Sequence, residues 1–335
     1  MNADQGPAVR ASASADSESA SASASAAAGR LAGTAPEPGV RKPDPLLVLD
    51  GVTRSFGGLV AVRVDHLEVQ RGAITALIGP NGAGKTTLFN IVSGFDRAGS
   101  GSWSFDGHPL TGRPAHRVAR QGLVRTFQLP RTLSRLTVRE NMMLAAAGQG
   151  GERLLSALLR PLWRGQEREA GRRADELLER FRLGGVRDDY AGTLSGGQRK
   201  LLELARVLMV RPVMVLLDEP VAGVNPALSQ SLLGHITELR DEGLTVCFVE
   251  HDMDVVMGIS DWVAVMADGR LVAEGPPHTI GQNPAVVDAY LGRRHDEPGA
   301  GEDEPTGNGP TGDESTGAGP TEDKGTGDES SEDKE

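Results

Sequence analysis

Residues 79–87 read Gly79-Pro80-Asn81-Gly82-Ala83-Gly84-Lys85-Thr86-Thr87, or GPNGAGKTT. AITALI (73–78) precedes them, apolar and rich in β-formers. LFNIVSGF (88–95) follows, with its apolar residues at a helical period. Strand, glycine loop, helix is the order a phosphate-binding loop needs, and the spacing matches G-x4-G-K-[ST]. Glycines let backbone N–H groups wrap a phosphate without side-chain clash. The helix start adds partial positive charge. Lys85 is spaced to reach the β- and γ-phosphates, and the Thr86 hydroxyl to bind Mg2+; Thr87 belongs to the same stretch. The expected ligands are ATP and Mg2+.

A second apolar run, VMVLL (213–217), ends in Asp218-Glu219. So uniform a run reads as a parallel strand buried on both faces, and such sheets bind ligands at their carboxyl edge. Asp218 would hold Mg2+ through water, and Glu219 would polarise the attacking water as general base. TVCFV (245–249) leads into Glu250-His251-Asp252, which puts His251 on the same edge, within reach of a γ-phosphate. Gln128, in TFQLPR, either caps a turn or touches Mg2+ or the water and reports the nucleotide state onward. Phe56, in SFGG, either packs in a core or offers a π-face to a purine.

Leu194-Ser195-Gly196-Gly197-Gln198 adds a second anion grip: a hydroxyl, two close N–H groups and a helix start. A helical segment stands between it and the phosphate loop, so one chain cannot easily turn it onto its own nucleotide. It can reach the nucleotide of a second cassette in a head-to-tail pair, and a two-fold arrangement then closes two shared pockets. ATP joins such a pair and hydrolysis releases it.

Around these motifs strands and helices alternate, which gives an α/β fold. RPAHRVARQGLV (113–124) reads as a helix. Residues 131–193 read as a helical insertion. There Thr137 and Glu140 have capping-box spacing, and EREAGRRADELLERFRL (167–183) is amphipathic. LLSALLRPLW (154–163) either packs within the insertion or faces a partner. Asp268-Gly269 between two β-like runs signals a hairpin, and Asn283-Pro284 opens a last helix.

The ends differ in kind. Residues 1–44 are Ala/Ser/Pro-rich and 296–335 are Gly/Pro/Thr and acidic. Both have too few large apolar residues to offset ordering entropy and are expected to be disordered, leaving 45–295 as the folded domain. From Asp296 onward fourteen Asp/Glu stand against two Lys, a balance of −12 in a chain of net charge −11. The rest is near neutral, so the acidity says nothing about the ligand. The single cysteine, Cys247, excludes an internal disulfide and fits a reducing compartment. The start lacks the pattern of a signal peptide, and no run has the ~20 apolar residues of a membrane span.

GPNGAGKTT, TFQ, LSGGQRK, VMVLLDEP and VEHD, in this order and spacing, resemble the nucleotide-binding subunit of ABC transporters over about residues 46–294. The resemblance implies a P-loop NTPase with a RecA-like α/β core, an antiparallel β subdomain and a helical subdomain that meets the permease. Most of that superfamily has aspartate six positions after the catalytic glutamate. Here Asn225 stands there, in EPVAGVNP. That departure, with SFGGLVAV, VRTFQ, LTVRENMMLA, EHDMDVVMGISD and NPAVVDAYLG, is similar to the ATPases of branched-chain amino acid importers. Such importers use two different ATPases, two permeases and a solute-binding protein. This chain resembles the longer ATPase, at the cytoplasmic face of the membrane. Urea and other amide importers share the pattern. A soluble ABC ATPase acting on nucleic acid is the rival class, and one cassette without a heptad run or basic stripe speaks against it.

Overall fold

The computed structural model describes residues 29–126, 132–146 and 160–291. Gln128, most of LLSALLRPLW and the acidic tail lie outside the described residues.

The central sheet follows from its apolar runs. Strands β3 (Ile74–Ile78), β6 (Leu123–Arg125), β7 (Met214–Asp218), β8 (Thr245–Val249), β9 (Trp262–Ala267) and β10 (Arg270–Gly275) lie in the order β10-β9-β3-β8-β7-β6. All neighbours are parallel except β9 and β10. Every residue of β3, β7 and β8 is buried, as expected of strands covered on both faces. Period-two alternation divides their side chains between two cores. Ile74, Ala76, Ile78, Val215, Leu217, Val246 and Phe248 join one cluster. Leu77, Met214, Leu216, Cys247 and Val249 join the other. The β9–β10 hairpin turns at Asp268 (φ 48°) and Gly269 (φ 76°), the two left-handed residues that a two-residue turn of this hand requires.

The second core is closed by helix α1 (Lys85–Val92) and an antiparallel sheet, β2-β1-β4-β5. Its strands are β1 (Pro45–Phe56), β2 (Leu59–Gln70), β4 (Ser100–Phe105) and β5 (His108–Pro109). The first core lies under the helical segments α3 (Val138–Ala145) and α4 (Arg160–Arg180), with α5 (Gly196–Leu208) and α6 (Pro226–Asp241). On α4, Ala174, Leu177 and Leu178 are buried at three- and four-residue spacing. Thr137 and Glu140 do form a capping box.

Two expectations are corrected. RPAHRVARQGLV is not one helix: α2 (Ala115–Arg120) stops, Gly122 turns at φ 96°, and Leu123–Arg125 becomes the edge strand β6. The fold also begins before residue 45. Leu31 packs with Ala73 and Trp262, and Val40 lies against them. Lys42 Nζ donates to Glu274 Oε1 at 3.1 Å, with both side chains 0% exposed. Trp262 Nε1 donates to the same oxygen at 3.1 Å, and Gly39 N to Glu274 Oε2 at 2.7 Å. Burial pushes the Glu274 carboxyl up and the Lys42 ammonium down, and their pairing opposes both shifts without cancelling them. Composition hid this strap because two of its anchors, Trp262 and Glu274, sit more than two hundred residues further along the chain.

Candidate functional site

The loop 79–84 is shaped by close backbone approach. A Cβ on Gly79 would stand 2.0 Å from the Met266 carbonyl oxygen, and one on Gly84 2.2 Å from that of Ala61. Both glycines have positive φ, so no L side chain fits on either ground. The approach also brings the β1–β2 hairpin beside the loop. The β9–β10 turn braces it, with Gly269 N donating to Ala83 O at 3.1 Å. Helix α1 starts from Gly84 and directs its first N–H groups at the loop. Lys85 Nζ lies back on the loop, donating to Gly79 O at 2.6 Å and Pro80 O at 2.9 Å. Asn81, Gly82 and Thr86 are exposed, Pro80 and Thr87 half-buried, and Ala83 is packed inside. The last described helix, α7 (Pro284–Leu291), brings the Tyr290 phenol beside the Gly79 N–H.

Phe56 pairs with Leu59 across the hairpin end and is 48% exposed, so it is not a core residue. One face of its ring carries the Arg54 guanidinium, 4.5 Å from the centroid.

The parallel register places Asp218 opposite Val249, so both chains leave the sheet side by side. Asp218 is buried, and its Oδ2 accepts from Arg125 Nη2 at 2.8 Å. Arg125 Nη1 donates to Asn90 Oδ1 at 2.6 Å, which links the carboxylate to α1. Glu219 has φ 46°, a left-handed backbone that is uncommon outside glycine and concentrated at functional sites. Its N–H donates to Val249 O at 3.0 Å. His251 is mostly exposed, with Nδ1 4.0 Å from Glu219 Oε1 and 3.7 Å from Glu250 Oε2. Glu250, 1% exposed, takes the N–H groups of Val221 and His251 and so fixes both turns. Burial raises its carboxyl above the usual range, and those two N–H groups oppose the rise.

Ser195 caps α5. Its Oγ accepts from Gln198 N at 3.3 Å, while Gln198 Oε1 accepts from Ser195 N at 2.9 Å. This capping box uses the hydroxyl as acceptor, and an O–H group can donate as well. The two glycines differ in kind. Gly196 is exposed, and a Cβ there would meet nothing nearer than Gly223 O at 3.9 Å. Gly197 is buried, and a Cβ there would lie 2.4 Å from Leu228 Cδ1. Asn225, where most of the superfamily has aspartate, caps α6 by accepting from Leu228 N at 2.9 Å.

The structure therefore brings the 79–87 loop, Asp218, Glu219 and His251 to one sheet edge. Sequence reasoning missed Arg125, Asn90, Glu250 and Tyr290 there. VRTFQ had singled out Arg125's neighbourhood, but only the strand assignment aims it at Asp218. It also missed Asn141, fully buried in α3, whose amide Nδ2 donates to Leu133 O and Thr137 O, both at 3.0 Å. Among the described residues no three His, Cys, Asp or Glu side chains gather into a cation cage. Thr86 offers an exposed hydroxyl and Asp218 a strand-end carboxylate, the sparse oxygen donors that suit Mg2+ carried on substrate phosphates. No described helix is long and apolar enough to cross a membrane.

Comparison with known proteins gives this geometry a family. The ABC transporter family model matches residues 62–222, and one described as branched-chain amino acid ATP-binding cassette transporter matches 270–296. The high-affinity branched-chain amino acid transport ATP-binding protein BraF of Pseudomonas aeruginosa is 43% identical over 250 residues, 74% of this chain and 98% of its own. The protein of the same description, LivG, from Escherichia coli is 42% identical over the same shares. A nucleotide-free ATP-binding cassette from an ABC transporter superposes with TM-score 0.65 at 35% identity, covering 74% of this chain and 99% of that one. CbiO1 of Clostridium perfringens, part of an ABC transporter complex, does so with TM-score 0.62 at 28% identity, covering 75% and 97%. The chain belongs to the ABC transporter family, as an ATP-binding cassette that hydrolyses ATP.

Proposed function

We propose that this cassette powers an importer of branched-chain amino acids. The observation that carries the reading is the similarity to transport ATP-binding proteins of that description over 98% of their length. ABC ATP-binding subunits of transport systems work with membrane permeases. The finer assembly follows: a second cassette facing this one head to tail, two permeases, and a solute-binding protein that acts through them, with the cassettes on the cytoplasmic face. The helical segment within 131–193 meets the permease; Leu133, Leu144 and Tyr190 are exposed there.

The residues divide the chemistry as follows. Loop N–H groups from Asn81 to Thr87 hold the phosphates, and Lys85 turns from loop carbonyls to β- and γ-oxygens. Phe56 stacks the purine on the ring face away from Arg54. Thr86, Asp218 and Gln128 would hold Mg2+, which when bound would supply positive charge against the charge that builds on the phosphates. Glu219 takes a proton from the water whose oxygen attacks the γ-phosphorus as the bond to the β-bridging oxygen breaks. Gln128 orients that water and His251 steadies the γ-phosphate. Ser195, Gly196, Gly197 and Gln198 close on the γ-phosphate of the facing cassette. Closure turns the permeases; hydrolysis resets them.

The test is Glu219→Gln in the assembled transporter. ATP affinity stays within about twofold while turnover falls at least about 100-fold, the scale of losing a general base. Uptake of radiolabelled leucine is lost in cells without this chain and is not restored by the variant. Near-normal hydrolysis would remove Glu219 from the role. Intact leucine uptake with loss of another amide solute would replace the substrate.

A further inference from the structure

Lys200 lies on α5, five residues past the Ser195 cap, and is 8% exposed. Its Nζ donates to the backbone carbonyl of Glu219 at 3.1 Å. That carbonyl already accepts Ala222 N at 3.2 Å, so it is not left bare without the lysine. What the ammonium adds is a charged donor at the one strained turn that carries the base, where φ is 46°. A backbone held in this region persists only where its surroundings over-determine it. Val249 O supplies one restraint from the sheet, through Glu219 N at 3.0 Å, and Ala222 one from the turn itself. Lys200 supplies one from the helix that begins at Ser195. Behind it, Thr126, Glu203 and Pro220 line the same small cavity, so the ammonium sits between helix and turn rather than in solvent.

We propose that Lys200 is a positioning residue that couples the two half-sites of one chain. Seating the facing cassette's γ-phosphate on the start of α5 is transmitted by the rigid helix and Lys200 to the Glu219 turn, which serves this chain's own nucleotide. Each pocket thereby conditions the base of the other. The inference rests on the roles proposed for Ser195 and Glu219. A buried lysine that merely finds an acceptor would affect folding and nucleotide affinity instead.

The experiment measures kcat and KM for ATP in the assembled transporter for Lys200→Met, Lys200→Arg, Glu219→Gln and Lys200→Met with Glu219→Gln. Lys200→Met lowers kcat about tenfold or more, the scale of one charge-assisted hydrogen bond, and leaves KM within about twofold. Lys200→Arg, which keeps a charged donor, recovers most of kcat. Added to Glu219→Gln, Lys200→Met lowers turnover no further. If Lys200→Met does not yield folded chain, Lys200→Gln carries the same prediction with a neutral amide in the buried site. Normal turnover in Lys200→Met beside an inactive Glu219→Gln overturns the coupling alone. So does a further loss in the double variant, or a rise in KM that accounts for the whole effect. Normal turnover in Glu219→Gln overturns the reading of Glu219 and the coupling with it.

Discussion

The Arg125 guanidinium donates to Asp218 Oδ2 at 2.8 Å, and the two side chains are 4% and 7% exposed. The same fork reaches Asn90 Oδ1 at 2.6 Å, so one residue of the edge strand holds both the acidic strand end and the helix after the phosphate loop. A buried ion pair gains little over an apolar replacement of both partners, but removing one partner strands a charge. Arg125→Met is therefore expected to destabilise the chain by about 3 kcal/mol or more in urea unfolding. Arg125→Lys keeps the charge but loses the fork, and should fall between that variant and wild type. A loss under about 0.5 kcal/mol for Arg125→Met, the range of ordinary surface changes, would show that the pair is not structural.

The two glycines after Ser195 should separate cleanly. A methyl on Gly197 must displace Leu228, and Gly197→Ala is expected to cost about 1–3 kcal/mol, as overpacked cores do. Gly196→Ala meets open space and should change stability by no more than about 0.5 kcal/mol. It still puts a methyl on the exposed face proposed to meet a second cassette, so turnover of the assembled pair should drop. Equal stability losses in the two variants, measured by chemical denaturation, would contradict the structure.

Cys247 gives a pH prediction. Burial in β8 pushes its thiol up to about 12. The folded chain keeps this proton well above the pH at which an unfolded thiol, near pKa ~8.5, gives it up. Between those values the folded state binds more protons than the unfolded one, so this group's contribution to stability is complete at neutral pH and is lost as pH rises. The slope approaches ~1.4 kcal/mol per pH unit. Wild type should lose about 1–2 kcal/mol more than Cys247→Ala between pH 8 and 10. The native thiol should also resist a disulfide reagent at pH 8 and react once the chain is unfolded. Rapid native labelling would contradict the burial.

Much of this arrangement was legible in the chain because local pattern and tertiary role coincide. MVLL (214–217) and VCFV (246–249) are apolar at every position because both faces are covered, and the polar residues that follow them mark the site edge. Asp268-Gly269 announces its turn because few other pairs tolerate two left-handed residues. Arg125 was hidden because the helix stops before Gly122 while its sequence pattern runs on, and three residues are too short a strand to show a period. The strap at 29–44 was hidden because Leu31 and Lys42 are single anchors whose partners, Trp262 and Glu274, are distant in sequence. The two glycines of LSGGQ look alike in sequence; only the packing of Leu228 against one of them tells them apart.

The central claim is that each catalytic pocket is shared, with Ser195 serving the nucleotide of the opposite cassette. The most direct test is Ser195→Arg, read in two assays on full-length chain. Turnover by the assembled transporter should fall at least about tenfold, the scale of losing a γ-phosphate donor. ATP affinity of the isolated chain should stay within about twofold, because its own loop is untouched. Undiminished turnover, or an affinity of the isolated chain that collapses along with turnover, would contradict the shared pocket.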